Sequence, residues 1–169
     1  MRKIVILFIL IASSSFAQSN DLEDLNKGHD KLKKGDYEGA IKDFTKYIEI
    51  NKGSKSTFIA YLNRGAAYTE LKQYKKAIED YTKSIEVYSS DGTGYDGRAT
   101  VYFLMKDYDK ALLDYNEAIK RWTKNSHAYL FRGKTYHEMK QNVKACADWK
   151  KSLELGNKGA EDLQKKFCK

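Results

Sequence analysis

Three Arg–Asp combinations raise the first chemical question of this sequence. Arg64, Arg98 and Arg132 are each followed 16 residues later by an Asp, at Asp80, Asp114 and Asp148. A guanidinium free at a surface grips a ligand's carboxylate or phosphate; one matched by an internal Asp ties two parts of its own chain together. Because the acid recurs with every Arg, the spacing predicts structural ion pairs. Lys27 and Asp43 repeat it once more toward the N-terminus. Other reactive side chains are few. His29, His127 and His137 have no His partner one helical turn away, and the two Cys do not form a zinc-type cluster, so no metal site is expected. No Ser stands in a nucleophile-elbow context. "DGTGYDG" at 91–97 has the glycines of a phosphate loop without the strand–turn–helix setting. The residues predict no catalytic constellation, no metal and no cofactor, hence a non-enzymatic protein.

The elements that must position these side chains are repeated. "YLNRGAAY" at 61–68 returns as "YDGRATVY" at 95–102 and "YLFRGKTY" at 129–136, with starts 34 residues apart. Small residues recur in pairs 12 apart: Gly28 and Ala40, Gly65 and Ala77, Ala99 and Ala111, Gly133 and Ala145. Four residues after each Ala stands an aromatic: Phe44, Tyr81, Tyr115 and Trp149. In the second unit, Ile59, Leu62, Ala66 and Tyr68 fall at helical spacing. After a short turn, Tyr74, Ala77, Ile78, Tyr81, Ile85 and Tyr88 form a second stripe. Each unit therefore reads as two antiparallel helices. The small pairs let the backbones of the two helices approach, and the aromatics fill the core beside them. One hairpin cannot bury both faces, so neighbours stack. No Pro occurs in the chain, and the fold class is all-α.

The order of aromatic, Gly, Tyr, then Ala with an aromatic four residues on resembles the tetratricopeptide repeat. Four copies cover about 21–54, 58–91, 92–125 and 126–159, and a capping helix follows at 158–168. The loop Pro of the family is replaced by Lys52, Ser89, Thr123 and Asn157. Asp24 and Lys31 stand where aromatics are expected, as does Asn142. The resemblance implies an α-solenoid whose first helices line a concave groove for a peptide or a partner protein. Carried over by repeat position, that groove presents Leu25, His29, Asn63, Ala66, Thr69, Asp96, Gly97, Thr100, Phe103, Leu130, Lys134 and His137. Gly97, where the neighbouring repeats have Asn63 and Phe131, is expected to leave a notch in the groove floor. One subfamily clamps a C-terminal carboxylate. Only Asn63 matches that clamp, while Leu25, His29, Thr93 and Gly97 stand at its other positions, so that mode is not expected.

The N-terminus reads as a signal peptide over 1–17. "MRK" is positive, "IVILFILIA" is too short for the roughly 20 residues of a spanning helix, and Ser15 and Ala17 suit a cleavage site. A single domain over 18–169 remains, in the periplasm or secreted, with no stable membrane insertion. Loss of Arg2 and Lys3 takes the net charge from +8 to +6. That excess is mixed with acids throughout, unlike the focused patch of a nucleic-acid binder, so no nucleic-acid partner is expected. Self-association through the groove is the alternative to a separate partner. Cys146 on the last repeat and Cys168 near the C-terminus stand at similar distances from a turn at Gly156–Asn157. An antiparallel capping helix brings them level, and an oxidising compartment favours a disulfide. The alternative is a pair of buried thiols.

Overall fold

A computed structural model describes residues 22–168; the expected signal peptide lies outside them. The described chain is built of helices: α1 (22–34), α2 (Tyr37–Ile50), α3 (Thr57–Glu70), α4 (Tyr74–Val87), α5 (Thr93–Leu104), α6 (Tyr108–Arg121), α7 (Ser126–Glu138), α8 (Asn142–Glu154) and α9 (Glu161–Phe167). A 3-10 turn, Lys158–Ala160, precedes α9, so the expected capping helix is split. Asn157 holds that turn by accepting from the Gly159 amide at 3.0 Å. The helices pair as four hairpins, α1–α2, α3–α4, α5–α6 and α7–α8. Each hairpin after the first packs its leading helix on the hairpin before it.

Local chemistry sets the hairpin ends. Asp36, Asp107 and Asn125 cap α2, α6 and α7, each accepting from the amide three residues on, at 3.0, 3.3 and 2.9 Å. The turn inside every hairpin needs a left-handed residue. Gly35 fills that place in the first hairpin with φ 79°, and Lys72, Lys106 and Lys140 fill it in the others at 57°, 62° and 63°.

The core follows the repeat. Ala40, Ala77, Ala111 and Ala145 have no exposed surface, and Phe44, Tyr81, Tyr115 and Trp149 are buried beside them. The glycines of α1, α3 and α7 stand against the aromatic ring of their own unit. A Cβ added at Gly28 would stand 2.7 Å from the Phe44 ring, one at Gly65 3.2 Å from Tyr81, and one at Gly133 2.6 Å from Trp149. Close approach of backbone to ring is thus what selects Gly. Burial pushes the Tyr81 hydroxyl up to about 12 and the Tyr115 hydroxyl higher still. At the C-terminal end, Leu163 and Phe167 of α9 cover Leu130, Ala145 and Trp149, which close the last hairpin.

The arginines lock this stack. Arg64 donates from Nε and Nη2 to Asp80 at 2.7 and 2.8 Å. Arg98 does the same to Asp114 at 2.7 and 2.9 Å, and Arg132 to Asp148 at 2.7 and 2.7 Å. The third nitrogen, Nη1, reaches back to the preceding hairpin: to Thr45, Thr82 and Asn116 at 2.8, 2.9 and 2.8 Å. Each guanidinium also lies over the Tyr three residues before it, Tyr61, Tyr95 or Tyr129. One side chain therefore joins two helices of its own unit and a third from its neighbour. The expected Lys27–Asp43 pair does not form. Lys27 binds Glu23 one turn away on α1 at 2.7 Å, and Lys31 takes Asp43 at 2.8 Å. A second pair, Lys46 with Asp24 at 2.7 Å, links the same two helices. A lysine lacks the planar fork that fixes the geometry in the other units, so the nearest ammonium wins.

Candidate partner-binding groove

The leading helices α3, α5 and α7 present a shared face, and between them lies a depression of ≈ 330 Å³. Asn63, Ala66 and Thr69 of α3 line one wall, and Asp96, Gly97 and Thr100 of α5 the other. These six were expected in the groove from repeat position, and the structure brings them together. Leu62, Glu70, Tyr81, Thr93 and His127 complete the lining and were missed. Tyr81 belongs to the second stripe of its unit, yet its ring reaches through to the floor. His127 comes from the first turn of α7, beyond the register used for the groove.

The lining has a definite polarity. It holds two carboxylates, Glu70 and Asp96, and no Lys or Arg. Asp96 is braced: Asn125 Nδ2 donates to it at 3.2 Å, and His127 Nδ1 lies 3.0 Å from both carboxylate oxygens. Glu70 is exposed at the end of α3 and makes no ion pair among the described residues. Hydroxyls of Thr69 and Thr100 donate to the carbonyls of Gly65 and Asp96, at 2.8 and 2.9 Å.

Gly97 does not leave a notch. A Cβ there would stand 2.3 Å from the Tyr81 ring, which fills the space that a side chain would occupy. Tyr81 is held between Gly65 of its own unit and Gly97 of the next, so Gly97 serves packing between repeats and only its edge meets the depression. Further along the same face, Phe103 packs edge-on against Phe131 at 5.8 Å, and Lys134 sits over Phe131 at 4.3 Å. Burial holds the Lys134 ammonium below its ordinary value. Phe103 and Lys134 thus form a separate apolar ledge outside the depression. His137 is half-buried at the capping end of this face. Its ring lies 4.3 Å from Phe167 of the capping helix and 5.6 Å from Trp149. Leu130 is core, 7% exposed, against Trp149 and Ala160, and Leu25 packs on Phe44 and Ala40. His29 is exposed on α1.

Cys146 of α8 and Cys168 after α9 are joined, with Cα atoms 5.6 Å apart. Among the described residues no group of three metal-ligating side chains converges, and no helix is long and apolar enough to cross a membrane.

A family profile described as Tetratricopeptide repeat matches residues 58–91, and a second of the same description matches 25–53 and 94–121. No curated protein matches at a significant level. Among solved structures, the Arabidopsis OM64 TPR domain is similar at 28% identity and TM-score 0.66, over 68% of this chain and 97% of that one. The first TPR of Spaghetti (RPAP3), bound to the HSP90 peptide SRMEEVD, is similar at 25% identity and TM-score 0.64, over 68% and 92%. A tetratricopeptide repeat protein from Parabacteroides merdae ATCC 43184 shares the fold at TM-score 0.70 and 24% identity, over 83% of this chain and 55% of that one. Sequence profile, hairpin geometry and structural likeness agree: the chain belongs to the tetratricopeptide repeat family.

Proposed function

We propose that this protein is an exported, non-enzymatic scaffold that binds a segment of a partner protein along the face of α3, α5 and α7, with a basic side chain of that partner seated in the depression between Glu70 and Asp96. The observation that carries this reading is the lining itself: two carboxylates beside the Tyr81 ring, with no Lys or Arg among the lining residues, His127 held by Asp96, and Glu70 without an ion pair among the described residues. A few convergent polar groups in an otherwise apolar recess fit recognition of one amphipathic side chain, and an Arg or Lys has that character. A structural relative holds SRMEEVD, a peptide rich in acids. The depression here is itself acidic, the same sign as that peptide, which supports a different ligand on a shared frame.

Export rests on the leader-like residues 1–17, and it places Cys146 and Cys168 where a disulfide persists. N-terminal sequencing of protein from the native cell is expected to return Gln18 as the first residue; Met1 on the accumulated protein contradicts export. Selection of a displayed random-peptide library on the mature chain tests the groove. The expected result is enrichment of Lys- or Arg-containing peptides that Glu70→Lys no longer retains. Enrichment of acidic peptides by the groove contradicts the reading.

A further inference from the structure

A second recess lies at the hairpin turns and has the opposite character. It measures ≈ 430 Å³ and is lined by Lys72, Gln73, Tyr74, Lys75, Lys76 and Met105. It shares no lining residue with the acidic depression. Its walls are largely apolar: the methylene stems of three lysines, the Tyr74 ring and the Met105 thioether. Met105 is 46% exposed, and Leu104 beside it is 45% exposed. Neither is required to be apolar by burial.

The charges around this recess are unmatched. Among the described residues, Lys72, Lys75 and Lys76 make no ion pair, and Glu79 on the next turn of α4 pairs with none of them. The carboxylate on the adjoining turn, Asp107, is taken by Lys110 at 2.6 Å. Lys76 is drawn instead over the Tyr68 ring, 5.3 Å from its centroid. Three ammonium groups around one apolar hollow repel one another in the free protein, and an incoming carboxylate relieves that repulsion.

We infer that the α3–α4 turn, with Met105 of the α5–α6 turn, is a second docking edge for an acidic protein segment that inserts one bulky apolar side chain into the recess. Charge complementarity selects the acids. The hollow selects an inserted side chain over a bilayer surface, because a bilayer is met by protruding groups and this site is concave. The thioether of Met105 adapts to the shape of the inserted group. The groove and this edge then bind chemically opposite segments, and each can be lost without the other.

The test is fluorescence anisotropy of a labelled peptide carrying one Trp between two runs of Glu, titrated with the mature chain. Binding is expected at about 20 mM salt and is expected to weaken about tenfold or more at about 200 mM. Lys72→Glu with Lys75→Glu and Lys76→Glu abolishes it, while Glu70→Lys in the acidic groove leaves it intact. A peptide with Gln for Glu, or with Gly for Trp, binds at least about tenfold more weakly. The three lysines are exposed, and an unchanged circular dichroism spectrum shows that the triple variant folds. The inference is overturned by absence of binding at low salt, by undiminished binding to the triple variant, or by loss of binding in Glu70→Lys. Sedimentation with phosphatidylglycerol vesicles in place of peptide binding overturns it in favour of a lipid surface.

Discussion

Arg98 and Asp114 face each other across the third hairpin through two parallel hydrogen bonds of 2.7 and 2.9 Å, both side chains mostly out of water. These bonds push the Arg98 guanidinium further above its ordinary value. Removal of either partner strands a charge in a dry place. Arg98→Met and Asp114→Leu are each expected to destabilise the fold by about 3 kcal/mol. The double variant is expected to lose less than the sum, with a coupling energy of about 1 kcal/mol or more from urea midpoints. Strict additivity contradicts the ion pair.

The link from Arg98 to Thr82 joins hairpins rather than helices of one hairpin. Thr82→Val keeps the shape and removes the acceptor. A loss of about 1 kcal/mol is expected in urea unfolding. No change in midpoint shows that neighbouring hairpins are held by packing alone.

Lysines at the left-handed positions cost stability that glycine does not. Lys106→Gly and Lys140→Gly are each expected to raise stability by up to about 1 kcal/mol, against the usual effect of adding a glycine. Gly35→Ala is expected to lower it. Differential scanning calorimetry decides: a fall in Tm for both lysine variants refutes the turn geometry.

Tyr81 sets an alkaline limit. Its hydroxyl titrates at about 12 in the fold and at about 10 in the unfolded chain. Between these values the folded form keeps a proton that the unfolded form has lost, so stability is intact below pH 10 and falls as pH rises through this window. Tyr81→Phe is expected to flatten that fall by one proton in midpoints measured from pH 9 to 11. An unchanged slope contradicts the burial of the hydroxyl.

Gly97→Leu is expected to destabilise the protein, because the added side chain collides with the Tyr81 ring. Ala77→Leu is expected to cost about 1–3 kcal/mol for the same reason, having no exposed surface to expand into. Full thermal stability in Gly97→Leu shows that the ring yields and the notch is real.

Much of the fold was legible in the sequence because one constraint is written four times. A small residue, an Ala 12 residues on and an aromatic four residues later mark one packed hairpin, and the Arg–Asp spacing of 16 follows from the same geometry. The bracing by Thr45, Thr82 and Asn116 was hidden because a hydroxyl and an amide do the same task at one position. The turn lysines were hidden because Lys is no turn signal. The site was read less well. Repeat position places a residue on a face and cannot say what a ring from the other helix occupies, which is why Gly97 was misread. Leu130 was misassigned because it packs into the core with Ala160 of the capping segment.

Recognition at the groove turns on its acidic centre, Glu70 and Asp96. The decisive measurement is calorimetric affinity of a groove-selected basic peptide for the wild-type mature chain, for Glu70→Lys and for Asp96→Asn. Both variants are expected to bind at least about tenfold more weakly, with the larger loss for Glu70→Lys, where attraction becomes repulsion. Unchanged affinity in both, with the proteins folded, contradicts the groove as the site of recognition.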